Sequence, residues 1–163
     1  MSERRAVFVD VDGTLVGHDG RIPPSATDAV RAARANGHLV LLCTGRTPAS
    51  LWPAVDAVGF DGAVAASGAW VTLGGTTNAP ETVLVQRSVS PDVLAEVRAF
   101  FDEHDTDVLL DGVDAIHGSP RVRERLLRVV GTGADPDGPF GFVERIRTDG
   151  KLPEPIVKVE FIG

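Results

Sequence analysis

One cysteine, Cys43, stands in 163 residues. No internal disulfide can form, and a reducing cytoplasm is the expected setting. No stretch approaches the roughly 18 uninterrupted apolar residues of a membrane span, so no membrane association is expected. Arg4 and Arg5 precede an apolar run, but Asp10 breaks it almost at once, unlike a signal peptide. Positive charge is also scarce: 16 Lys and Arg face 23 Asp and Glu, a formal net charge of -7. Without a basic stripe to neutralise a phosphate backbone, the sequence argues against a nucleic-acid partner. Small anionic ligands remain compatible with this charge where a metal supplies local positive charge. Hydrophobic residues at 43% and charged residues at 24% describe a globular chain, long enough for one ordinary domain or two small units sharing an interface.

The stretch richest in chemistry is AVFVDVDGTL, residues 6 to 15. Ala6 to Val9 are apolar without alternation, which predicts a strand buried on both faces of a parallel sheet. In such a sheet ligands bind beyond the carboxyl ends of the strands, where Asp10 and Asp12 stand. Two apart in an extended segment, their carboxylates face the same side and can meet one ligand or metal, and Gly13 lets the chain turn away. Such a pair suits phosphoryl transfer. One carboxylate attacks phosphorus and the other moves the leaving group's proton, while a divalent cation offsets the assembled negative charge. A strand that simply ends in an acidic turn would carry the same letters. A calcium loop of the EF-hand kind would not, because its fifth and twelfth positions would be Thr14 and Arg21, where acidic ligands are required.

Downstream, VGHDGRIPPS reads as a turn-rich flap, with a short hairpin around Asp19 and Gly20 and a solvated His18. Ser25 is the expected cap of a helix whose Ala26, Ala29, Val30 and Ala33 recur at helical spacing until Gly37. His38 to Cys43 is a second buried strand, so strand, helix and strand form a right-handed βαβ unit with parallel strands. It ends in Thr44, Gly45, Arg46 and Thr47, ahead of Pro48, a residue typical of a helix's first turn. A hydroxyl and backbone amides at a helix amino end can receive a phosphate at the sheet edge that carries Asp10; a plain turn capped by Thr47 is the alternative. Pro53 is expected to kink or restart the helix. Asp61 to Ala66 is a third strand, followed by a turn at Ser67, Gly68 and Ala69, and Trp70 to Leu73 with Thr82 to Arg87 forms an antiparallel hairpin.

From Pro91 a helix is expected whose Val93, Leu94, Val97, Phe100 and Phe101 form an apolar face. Thr106 to Leu110, a turn at Asp111 and Gly112, and an alternating segment to His117 follow. A second helix over about 119 to 130 carries Arg121, Arg123, Arg125 and Arg128, read as a solvated face with attraction of a phosphorylated substrate as the alternative. GTGADPDGP is a loop, and Ile156 to Ile162 a final strand.

The apolar strand with DVDGT resembles the first motif of the haloacid dehalogenase (HAD) superfamily, and CTGR resembles its second, in the form found in the Cof-type group. Ser67 stands where that group has the asparagine of an NGA turn. The resemblance implies an α/β fold: a partial doubly wound parallel-sheet (HAD-like, Rossmannoid) core over 1–87 and an inserted α+β cap over 88–163. It implies that Asp10 is the nucleophile forming an aspartyl-phosphate and Asp12 the general acid and base. Thr44 and Gly45 bind the transferring phosphoryl group with Arg46 close by, and Mg2+ is held by the Asp10 carboxylate and the Asp12 carbonyl. Lys158, in IVKVEFIG, resembles a lysine common in a cap strand and is read as structural. The implied activity is magnesium-dependent hydrolysis of phosphomonoesters of small metabolites, such as sugar phosphates; oligomeric state stays open.

Two parts of that family's site are not found in the sequence: a third-motif lysine and a fourth-motif acidic cluster, often GDxxND. The nearest segment to the latter is VVGTGADPDG with Asp135 and Asp137, but its apolar pair belongs to the arginine-bearing helix, and Lys151 comes after it instead of before. The expectation is a fragment of a longer phosphatase, weak in magnesium binding and turnover, with an apolar sheet edge exposed. A degenerate, non-enzymatic module binding a phosphorylated ligand or a partner is the alternative. A dehalogenase using the same nucleophile is a third reading, which the second aspartate disfavours.

Overall fold

A computed structural model of the protein describes residues 3–131, 135–152 and 154–162. Ala6–Val9 (β1), Leu39–Cys43 (β2) and Gly62–Ala65 (β3) are parallel neighbours, with Ala6 opposite Leu39 and Leu41 opposite Gly62. Trp70–Leu73 (β4) and Thr82–Gln86 (β5) extend the sheet antiparallel, in the order β1-β2-β3-β4-β5. Helix α1, Pro24–Ala35, makes the crossover from β1 to β2. It begins after Pro23 instead of being capped by Ser25, because the two prolines already preset the first turn. It ends at Gly37, whose φ of +85° no side chain adopts easily. The short helix α2, Pro53–Asp56, restarts the chain at Pro53.

Val40 and Leu42 of β2 point into a core closed by Val30 of α1, Val55 of α2, Leu51, Trp52 and Ala63. The expectation that β1 is buried on both faces does not hold. Phe8 is 57% exposed and Val7 37%. Among the described residues β1 has one strand neighbour, and Phe8, pointing opposite to the core-facing Val9, lies on the side that α1 and α2 do not cover.

After Gln86 the chain builds a second sheet. Asp107–Gly112 (β6) lies between Ile116–Gly118 (β7) and Ile156–Ile162 (β8), all antiparallel. Helices Pro91–Glu103 (α3) and Pro120–Val130 (α4) start at Ser90 and Ser119, whose hydroxyls accept from the amides of Val93 and Val122. Leu109 packs with Val122 of α4, and Leu110 with Leu94 of α3. Successive strand residues face opposite ways, so the two helices lie on opposite faces of this sheet. Of the apolar face expected on α3, only Leu94 is buried; Val93 is 49% and Phe100 54% exposed. The two sheets meet where Ala65, Ala66 and Trp70 pack on Val113 and Val157.

Asp111 and Gly112 do not make the expected turn. They continue β6, paired with Lys158 and Ile156 of β8, and the chain reverses after them, where the Gly112 amide donates to the Ala115 carbonyl. The GTGADPDGP loop lies partly outside the described residues. Among the described residues, no helix is long and apolar enough to cross a membrane.

Candidate active site

Parallel pairing brings the carboxyl ends of β1, β2 and β3 to one edge, and with them Asp10, Thr44 and the turn at 66–68. β1 stops at Val9, and the backbone then coils: the Leu15 amide donates to the Asp10 carbonyl at 3.1 Å and the Val16 amide to the Val11 carbonyl at 2.9 Å. Gly13, with φ of +78°, supplies the left-handed step this coil needs. Val11, Leu15 and Val16 are thereby driven into the core while Asp10 and Asp12 stay at the surface.

This segment is coiled and not extended, so the two-residue spacing does not by itself set which way the two carboxylates point. Asp10 lines a depression of about 460 Å³ together with Thr44, Gly45, Ser67 and Gly68. Asp12 borders a separate cavity of about 880 Å³, where Arg46, Trp52, Asp135, Asp137 and Pro139 also lie. There the Arg46 guanidinium forks onto the Asp12 carboxylate through two 2.9 Å hydrogen bonds. Arg46 donates further to the carbonyls of Pro139 at 2.8 Å and Ser50 at 3.3 Å, and its guanidinium lies 5.1 Å from the Trp52 ring centre. The residue read as standing near the phosphate is thus engaged with Asp12.

The segment after β2 is not the amino end of a long helix. Pro48–Ser50 is a single 3-10 turn, and Thr47 does not cap it through its side chain. The loop after β2 is shaped by backbone instead. The Arg46 amide donates to Thr44 Oγ1 at 3.1 Å, leaving the hydroxyl proton of Thr44 free to donate elsewhere. The amides of Ser67 and Ala66 donate to the carbonyls of Thr44 and Arg46 at 3.2 and 2.8 Å. Ala66 and Ser67 pay for this with left-handed φ values of +50° and +54°, a strain that non-glycine residues carry mainly where geometry is held for use. No residue type in this segment signals the strain.

From the second sheet, Lys158 Nζ donates to the Gly45 carbonyl at 3.0 Å and pairs with Glu160. Thr47 Oγ1 lies 3.4 Å from Asp111 Oδ2 and the same distance from Ser50 Oγ. Burial pushes the Asp111 carboxyl up to about 7; Glu160 adds to the shift, while Lys158 and the Thr47 hydroxyl oppose it. Three of the four arginines of α4 are engaged elsewhere: Arg121 with Asp105 and Asp107, Arg123 with Glu144, and Arg125 on the Ile162 carbonyl.

Oxygen donors such as the Asp10 carboxylate are the kind Mg2+ takes, along with several waters. Among the described residues no three His, Cys, Asp or Glu side chains converge, and the Asp12 carboxylate is engaged by Arg46.

Set beside known proteins, residues 7–128 match the family of haloacid dehalogenase-like hydrolases. YkrA of Bacillus subtilis (strain 168), named as a candidate phosphatase, is 30% identical over 69 residues, which are 42% of this chain and 27% of YkrA. A haloacid dehalogenase-like hydrolase of Bacteroides thetaiotaomicron superposes with a TM-score of 0.75 at 12% identity, over 99% of this chain and 59% of its own. The HAD subclass IIB sugar phosphatase BT4131 does so at 0.65 with 21% identity, over 93% and 52%. The chain spans about half the length of these solved structures. With the family match running from the first strand to the end of α4, and the fold shared with these structures, the chain belongs to the haloacid dehalogenase-like hydrolases.

Proposed function

We propose that this chain carries the nucleophile and phosphate-binding loop of a magnesium-dependent phosphatase acting on phosphomonoesters of small metabolites, with sugar phosphates the leading class. The observation that carries this reading is the exposed Asp10 carboxylate sharing one depression with the Thr44 hydroxyl and Gly45. An Asp10 oxygen attacks phosphorus as the ester oxygen leaves with a proton; water then splits the aspartyl-phosphate, releasing phosphate and restoring the carboxylate. Thr44 donates a hydrogen bond from its hydroxyl to a phosphoryl oxygen, and Gly45 shapes the loop around it. Asp12 serves as the proton carrier, which requires the Arg46 fork to open first, since both carboxylate oxygens are engaged. The Asp10 carboxylate and the Asp12 carbonyl would hold Mg2+, whose charge offsets that of the phosphoryl group. The relationship to a sugar phosphatase supports the substrate class. Residues 1–87 serve as core and 88–163 as a cap over the site.

The Asp12 carboxylate, engaged by Arg46 through both oxygens, favours a second reading, a module that binds a phosphorylated ligand without turning it over. The test is hydrolysis of an aryl phosphate with magnesium by the protein carrying this chain. Hydrolysis lost in Asp10→Asn supports the phosphatase. Activity that survives Asp10→Asn refutes the nucleophile, and phosphate binding at Thr44 without turnover selects the module.

A further inference from the structure

Asp111 is 3% exposed, and among the described residues its Oδ1 has no hydrogen-bond partner. A strand that only needed to be filled would hold an apolar residue there, since an unpaired buried carboxylate oxygen is costly. Its neighbours across the sheet are Lys158 on β8 and Ile116 on β7. Directly opposed residues of an antiparallel pair share a face, so Asp111 and Lys158 point together toward the first sheet. There they meet the two ends of one short segment: Lys158 Nζ on the Gly45 carbonyl at 3.0 Å, and Asp111 Oδ2 on the Thr47 hydroxyl at 3.4 Å.

We propose that Asp111 and Lys158 are positioning residues that grip residues 45 and 47 from the second sheet and hold the phosphate-binding loop in its receiving shape. This rests on the reading of Thr44 and Gly45 as a phosphate site. The loop's other side is held within the first sheet, by the Ala66 amide on the Arg46 carbonyl. The grip depends on one proton. An ionised Asp111 accepts a hydrogen bond from the Thr47 hydroxyl. A neutral Asp111 donates to Thr47 Oγ1 instead, and the Thr47 proton turns to Ser50 Oγ, 3.4 Å away. The charged groups facing Asp111 are Lys158 and Glu160 of β8, while the 3-10 turn presents the hydroxyls of Thr47 and Ser50 and β7 presents Ile116. With Asp111 ionised the group of three carries one net negative charge; protonated, it is neutral and repels a phosphate less. Burial places this change near neutral pH.

The test uses amide NMR shifts of the chain between pH 6 and 8, with and without inorganic phosphate. The Gly45, Arg46 and Thr47 amides of the wild type should titrate with a midpoint near 7, and the isosteric Asp111→Asn should abolish that titration. At pH 8, Asp111→Asn should bind phosphate about threefold or more tighter than wild type, and at pH 6 equally, the ionisation of phosphate itself being common to both. Lys158→Met should weaken binding several-fold and displace the Gly45 resonance, with Lys158→Arg restoring most of both. Loop amides that titrate unchanged in Asp111→Asn, or phosphate affinity indifferent to both Asp111→Asn and Lys158→Met, overturn the inference. If the loop titrates as described but phosphate perturbs no resonance of Thr44 or Gly45 in any form, the phosphate site itself fails, and the positioning role with it.

Discussion

Arg46 and Asp12, 34 residues apart, are joined by a two-pronged ion pair, Nε to Oδ2 and Nη2 to Oδ1, both at 2.9 Å. Arg46 also donates to the Pro139 carbonyl, so one side chain ties the first-strand loop, its own loop and the segment beyond α4 together. The Arg46 side chain is 15% exposed and that of Asp12 57%, which makes the two ends of the pair unequal. Arg46→Lys keeps the charge but cannot reproduce the fork or the stacking over Trp52. It should cost about 1–2 kcal/mol in urea unfolding, whereas Asp12→Asn, at the exposed end, should cost less than about 1 kcal/mol. Equal losses from the two variants would contradict this division.

Asp111 makes stability fall as pH rises. Its carboxyl lies at about 7 in the fold against an ordinary 3.8, chiefly through burial, so between these values the folded chain keeps a proton that the unfolded chain has lost. The contribution is fully present below 3.8 and is lost as pH climbs through 7. Asp111→Asn, which cannot ionise, should therefore be more stable than wild type at pH 8 by about 1–3 kcal/mol, below a ceiling of about 4 kcal/mol, and no more stable at pH 4. Denaturant curves at both pH values measure the difference; a variant less stable at pH 8 would show that the carboxylate is better satisfied than its burial implies.

Asp61 works in the opposite direction. Burial alone would raise its carboxyl, but the Val40 amide and the Arg34 guanidinium, both donating at 2.8 Å, outweigh burial and hold it below 3.8. A depressed carboxylate stabilises the fold above its unfolded value and loses that contribution as pH falls through the folded one. Asp61→Asn should cost about 1 kcal/mol at pH 7 and show a shallower loss of stability on acidification below pH 4. An unchanged acid limb in the variant's unfolding curve would place the acid sensitivity elsewhere.

Phe8 is 57% exposed on β1, an edge strand of the larger sheet. Phe8→Lys should change unfolding free energy by no more than about 0.5 kcal/mol, as expected for a surface position. It should also lower self-association measured by sedimentation, since a lysine blunts an apolar edge. A loss above about 2 kcal/mol would mean that Phe8 is buried in solution, as in a pairing with another chain.

Local patterns made the frame legible. Unbroken apolar runs gave the places of β1 and β2, Gly37 marked the end of α1, and a helix between two such strands required parallel pairing. Parallel pairing alone is enough to put Asp10 and Thr44 at the same edge. The same patterns misled where a residue's surroundings come from far away in the chain. An apolar run reads alike whether its strand lies at the edge of a sheet or inside it, so the exposed apolar edge expected of a partial sheet could not be assigned to Phe8 from its own segment. DG reads as a turn wherever it occurs, so the pattern places Asp111 in a turn although β8 captures it in a strand.

Residue order by itself thus determined the elements and the edge where the chemistry gathers, because hydrophobic periodicity and turn residues act over a few positions. Tertiary structure alone decided that Asp12 is engaged by Arg46, that Asp111 is buried against Thr47, and that Lys158 reaches Gly45. These pairs lie 34, 64 and 113 residues apart. Such contacts arise only when separate elements pack, and no local pattern records which distant side chain will fill the space beside a given carboxylate or carbonyl.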